Sequence, residues 1–225
     1  MFDLLPAQLC DAAEGLHYLH TNKIVHGDIK GVRLPPPTST VPHSKVDVQR
    51  NILITNGMPA RACLADFGLS TLTPSGVPGE MTTVTTGGTL LYMAPELLFP
   101  DKFGKKNGRP TQPGDIYAFG MTVYEVLTGL EPFYDRDFFE RRGKYQLIDT
   151  VLGGARPTKP SDTESIGFGG GTWELVEECW MEESTERPTT ERVLAHLSLV
   201  VTFSVVVGPT PKTPRKSDND SSESH

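Results

Sequence analysis

The sequence predicts a mainly α-helical domain carrying a small β-hairpin, and three observations predict it. Leu5, Leu9, Ala12, Leu16 and Leu19 recur at three- and four-residue steps, the spacing of a helix with one buried face. "PGDIYAFGMTVYEVLTG", Pro113 to Gly129, is apolar on almost every side, as a helix in the middle of its domain must be. Between them the β-prone runs "NILI" (Asn51 to Ile54) and "ACLADF" (Ala62 to Phe67) flank Asn56-Gly57, the strongest short-range hairpin signal.

The run after the hairpin, "LTPSGVPGEMTTVTTGGT" from Leu72 to Thr89, is rich in Gly, Pro and Thr and predicts a long loop. Further helices fit "GTWELVEECWMEES" and "TERVLAHLSLV". In the second, Val193, Leu197 and Val200 share a face, and Thr189 or Thr190 is placed to cap it. "LSLVVTFSVVV", Leu197 to Val207, has only about half the length a membrane helix needs, so a buried helix end or strand is expected. Beyond Gly208, "PTPKTPRKSDNDSSESH" has too little apolar surface to order itself. The expected division is a domain over 1–207 and a disordered tail over 208–225.

At 225 residues, 37% hydrophobic and 22% charged, the chain has the material for one folded domain. A formal charge of −7 argues against a general nucleic-acid binder, which needs a basic face. Cys10, Cys63 and Cys179 are odd in number and far apart, with neither zinc spacing nor a disulfide framework. That usage predicts a reducing, intracellular and cytoplasmic setting. The first twenty residues lack the basic and apolar regions of a signal peptide, and no transmembrane segment is expected.

The chemistry is concentrated in "IVHGDIKGVRLPPPTSTVPHSKVDVQRNILI". Without Val32 to Gln49 it reads "VHGDIKG-RNILI", with Asn51 completing the pattern D-x-K-x-x-N begun by Asp28 and Lys30. "LADFGLS", "GTLLYMAPE", "DIYAFGMTVYEVLTG" and the later "RP" follow in order. "DFG" alone is as readily a turn as a site, and "HGD" alone is weaker; six matches in sequence are another matter. Together they resemble the C-terminal lobe of a eukaryotic-type protein kinase, serine/threonine-like, over most of residues 5 to 200.

The resemblance implies transfer of the γ-phosphoryl of ATP, with Mg2+, to Ser/Thr hydroxyls of protein substrates. The residue types suit that chemistry, because a transferring phosphoryl spreads negative charge that metal and cation must balance. By resemblance Asp28 is the base and Lys30 the phosphate-neutralising cation. Asn51 and Asp66 supply hard oxygens to magnesium. Thr89 lies in the substrate loop, Glu96 and Arg187 form a buried ion pair, and Asp115 anchors the catalytic loop backbone. Trp180 is expected in the core.

Three departures stand out. Gly27 occupies the family's arginine position, which removes the charge that would receive a loop phosphate, so Thr82, Thr83, Thr85 and Thr86 read as polar loop residues. The N-terminal lobe, with its Gly-rich loop, strand lysine and adenine hinge, has no counterpart before Leu5, so this chain alone is expected to be inactive. Val32 to Gln49 inserts eighteen residues, four of them proline, with no apolar period. They are expected to loop out as irregular, disordered chain. A retained intron fits: a whole number of codons keeps the frame, and Val32-Arg33 and Gln49 can be written with splice-site triplets. The rival reading is a non-catalytic, kinase-like interaction module.

Overall fold

The computed structural model describes residues 5–33, 51–55, 58–66, 71–72, 89–134, 143–161 and 169–207. Asn56-Gly57, most of the predicted long loop, most of the insertion and the tail lie outside them.

Helix α1 (Leu5–Thr21) buries Leu9, Ala12, Leu16 and Leu19, the face its spacing defines. It lies along the last helix, α6 (Thr190–Val207), where Cys10 Sγ meets Ser198 Oγ at 3.4 Å and His17 Nδ1 meets Thr190 Oγ1 at 3.1 Å. Thr189 caps α6, its hydroxyl accepting the Arg192 N–H at 3.4 Å. The apolar run Leu197 to Val207 is the end of that helix, and no helix among the described residues is long and apolar enough to cross a membrane.

The central helix α3 (Gln112–Thr128) starts where the Thr111 hydroxyl accepts the Gly114 N–H and stops at left-handed Gly129, φ 72°. Ile116, Tyr117, Phe119 and Met121 are all buried on it, so the core surrounds this element. Helix α5 (Thr172–Cys179) crosses it so closely that a Cβ on Gly120 would sit 2.7 Å from the Cys179 Cβ. Burial there pushes the Cys179 thiol up to about 12. The sequence placed α5 as far as Ser184; it ends at Cys179, and buried Trp180 packs edge-on against Trp173 at 5.7 Å. Two short helices escape the sequence reading, α2 (Pro95–Leu98) and α4 (Gly143–Leu152).

Among the described residues five short strands flank the segment His26 to Gly31. The expected hairpin is present as β3 (Ile52–Ile54) and β4 (Ala62–Leu64), antiparallel, with Leu53 opposite Cys63. Three further strands escape the sequence reading, and two of them correct it. β5 (Thr71–Leu72) pairs antiparallel with β1 (Ile24–Val25), so the predicted loop begins after Leu72. β2 (Val32–Arg33) runs parallel to β3, Val32 beside Ile52 and Arg33 beside Leu53. The first two residues of the insertion are therefore strand and not irregular chain. The edge of β3 carries backbone donors and acceptors that need partners, and the departing chain supplies them.

Candidate active site

The segment His26 to Gly31 leaves β1 and is fastened from below by α3. Asp115, 2% exposed in the first turn of α3, accepts the N–H groups of His26 and Gly27 at 2.8 Å each. A third donor is His20 Nε2, 2.9 Å from the same carboxylate, reaching down from the last turn of α1. Gly27 has φ 81°, in the left-handed region that glycine enters without steric penalty. The buried His26 ring links the two halves of the site. Its Nε2 donates to the Ala65 carbonyl at 3.1 Å, while its Nδ1 accepts the Asp28 N–H at 3.3 Å.

Asp28 and Lys30 meet directly, with Lys30 Nζ 2.8 Å from Asp28 Oδ2. Both are largely buried, at 10% and 4% side-chain exposure. Asn51 arrives from the far side of the insertion. Its Nδ2 donates to the Asp28 carbonyl and, at 2.9 Å, to Asp28 Oδ2. Its backbone N–H reaches the Lys30 carbonyl at 3.0 Å. Asp28 Oδ1 remains buried with no hydrogen-bond partner among the described residues.

Asp66 closes the hairpin side. The preceding Ala65 donates its N–H to the Asn51 carbonyl at 2.8 Å, which ties Asp66 to the same framework. Asp66 is exposed and has φ 62°, a left-handed backbone that few non-glycine residues adopt. Phe67 and Gly68 of the "DFG" run lie outside the described residues. With its amide nitrogen turned to Asp28, Asn51 has its amide oxygen left for a cation. No cluster of three or more His, Cys, Asp or Glu capable of holding a metal occurs among the described residues. Two hard oxygen ligands without a protein cage fit magnesium, which takes most of its shell from water and phosphate.

Residues after Thr89 form the other wall. A 3-10 turn runs Thr89–Tyr92; the Thr89 side chain is outside the described residues. The Tyr92 hydroxyl donates to Glu125 Oε2 at 2.7 Å, which holds the turn against α3. Below it, Glu96 and Arg187 form a two-pronged pair at 2.7 and 2.8 Å, with side chains 1% and 0% exposed. The Arg187 guanidinium also donates to the Met181, Pro113 and Glu182 carbonyls, so its charge is fully hydrogen-bonded. It stacks 5.1 Å above the ring of Tyr117, whose hydroxyl burial pushes up to about 12. Between the two walls is a shallow cleft with a volume of about 20 Å³, lined among others by Asp28, Tyr92, Met93, Leu97 and Pro110.

Sequence reasoning missed His20 and the Tyr92–Glu125 bond. Their partners are 95 and 33 residues away, and nothing local marks them except a histidine ending an apolar-faced helix.

A family model described as the protein kinase domain matches residues 45–198, more than half of the chain. The chain belongs to the protein kinase family. Among similar proteins is one of Acanthamoeba polyphaga mimivirus named as a serine/threonine-protein kinase/receptor, 32% identical over 85% of this chain and 9% of its own length. The serine/threonine-protein kinase VIK of Arabidopsis thaliana is 28% identical over 84% of this chain and 36% of its own. The dual specificity protein kinase shkC of Dictyostelium discoideum is 28% identical over 85% and 31%. The kinase sequence thus spans between about a tenth and a third of the relatives it matches. Its family match starts at residue 45, after Asp28 and Lys30.

Proposed function

We propose that this kinase transfers the γ-phosphoryl of ATP to Ser or Thr hydroxyls of proteins, with Asp28 as the base. The supporting observation is the asymmetry of the Asp28 carboxylate. Oδ2 is held by Lys30 and Asn51, whereas Oδ1 is buried in the cleft wall without a partner among the described residues. A buried, unpaired carboxylate oxygen favours an incoming hydroxyl, which donates its hydrogen there and is oriented for attack. Lys30, beside that hydroxyl, offsets charge on the moving phosphate. Asn51 and Asp66 would hold magnesium by their side-chain oxygens. Bound there, the ion would supply charge neutralisation at the nucleotide phosphates.

In this reading Asp28, Lys30, Asn51 and Asp66 serve as base, cation and metal ligands. No Gly-rich loop followed by a strand lysine occurs in these 225 residues. We therefore assign the chain to the C-terminal lobe, and by itself it should bind ATP weakly and turn over negligibly. Free cysteines at positions 10, 63 and 179 fit an intracellular setting.

The test uses the kinase joined to an N-terminal lobe, without Val32 to Gln49. It should phosphorylate Ser/Thr peptides in preference to Tyr peptides. Asp28→Ala should lower turnover by about a hundredfold or more while leaving nucleotide affinity nearly unchanged. Equal turnover in Asp28→Ala would refute the assignment. Equal Ser and Tyr labelling would move the kinase to dual specificity. A repaired protein that binds no nucleotide would favour a non-catalytic interaction module.

A further inference from the structure

The run that leads into the cleft lining at Pro110 and Thr111 carries a charge opposite to that of the molecule. In a chain of formal charge −7, the run "DKFGKKNGRP" brings together Lys102, Lys105, Lys106 and Arg109. Lys102 is engaged, with Nζ 2.6 Å from the Leu152 carbonyl and 3.9 Å from Glu182 Oε1. Lys105, Lys106 and Arg109 form no ion pair among the described residues, and Lys106 and Arg109 are exposed. The acidic groups nearby do not neutralise them. Glu182 faces Arg156 at 2.9 Å, and with Glu183 it lines a separate surface hollow shared by Lys102 and Lys105, in neither case forming an ion pair with Lys105 among the described residues.

The run is also fixed in place. Gly104 turns at φ 64° with its N–H on the Asp101 carbonyl at 3.1 Å, and the Lys105 N–H reaches the Pro100 carbonyl at 3.0 Å. Gly108 lies so close to α2 that a Cβ there would be 2.7 Å from the Leu97 carbonyl oxygen. Leu97, Pro110 and Thr111 line the cleft that contains Asp28. The basic run is thereby pinned to the cleft wall, and Arg109 directly precedes a lining residue. Three cations with no ion pair among the described residues, on a fixed run that leads into the cleft lining, attract an extended anionic segment.

We propose that Lys105, Lys106 and Arg109 bind Asp or Glu residues of the protein substrate that flank its acceptor hydroxyl. The inference rests on the kinase reading of the cleft and adds the substrate class: Ser/Thr in acidic sequence.

Fluorescent peptides with a central serine, flanked by acidic, neutral or basic residues, would be titrated into the 225-residue chain at low and high salt. Surface ion pairs are each worth at most a few-fold, so three should favour the acidic peptide by about tenfold at low salt. That preference should collapse in high salt, and in the K105E/K106E/R109E variant, which retains the wild-type circular dichroism. Backbone exchange protection by the acidic peptide should centre on residues 104–111 and the cleft lining. Equal affinity for acidic and neutral peptides would overturn the inference, as would a preference that survives the triple variant. Phosphate transfer is scored separately, in the lobe-joined kinase. Acidic binding without transfer there would undo the catalytic reading and leave the rim intact; transfer indifferent to acidic flanks would do the reverse.

Discussion

At the scale of single residues, the backbone of His26 to Gly31 is held at its start from outside, by Asp115, and only then by its own His26 ring. Gly27 contributes no side chain and sits at φ 81°, so its orientation depends on the Asp115 carboxylate. That carboxylate depends in turn on His20, its third donor. His20→Leu removes a hydrogen bond to a buried charged group, a loss of about 1.5–3 kcal/mol. Amide exchange at His26 and Gly27 should accelerate by roughly tenfold or more, with the middle of α3 unaffected. His20→Gln, whose Nε2 reaches a similar place, should restore the slow exchange. Unchanged exchange in His20→Leu would mean that Asp115 needs no such support. The contacts among Asp28, Lys30 and Asn51 were legible because one short pattern, D-x-K-x-x-N, carries all three. His20 was not, because its bond closes over 95 residues and leaves no local pattern.

Among the elements, legibility followed burial. The faces of α1 and α3 were readable since the core dictates their apolar spacing, and the β3–β4 hairpin since strand residues flank a turn signal. The two-residue strands β2 and β5 were not, because their pairing is settled by whichever edge lies within reach. Helix α4 buries Leu147 and Val151, one helical turn apart, too little to set a period. The α3–α5 crossing was hidden as well, since it depends on the absence of a side chain at Gly120. A methyl there would press on the Cys179 Cβ at 2.7 Å. Gly120→Ala should therefore lower stability by about 1–3 kcal/mol in urea unfolding, despite the better helix propensity of alanine. Cys179→Gly in the same chain should recover part of that loss, whereas an unchanged midpoint in Gly120→Ala would show that the helices can part without penalty.

For the whole molecule, the question is how a site survives an eighteen-residue interruption. Its two ends meet: the Asn51 N–H bonds to the Lys30 carbonyl at 3.0 Å. With Val32 to Gln49 removed, that same bond would close a four-residue turn, Lys30-Gly31-Arg50-Asn51. Gly31 already has the positive φ, 48°, that tight turns use. Deletion should thus leave helical circular dichroism unchanged. It should shift stability by no more than about 2 kcal/mol, shorter-loop entropy opposing the lost β2 pairing. Loss of cooperative unfolding in the deleted chain would show the segment to be a structural part of the domain. A messenger sequence lacking those codons would identify it as intron.

The meeting of Lys30 and Asn51 also divides the catalytic groups between two stretches of polypeptide. The proposed base and cation, Asp28 and Lys30, belong to the piece before the detour; the proposed oxygen ligands, Asn51 and Asp66, belong to the piece after it. What unites them is the packing of α1 along α6 and the grip of Asp115, neither of which passes through the intervening residues. Severed within the detour, the protein would behave as a heterodimer of unequal subunits, its active site assembled across their interface.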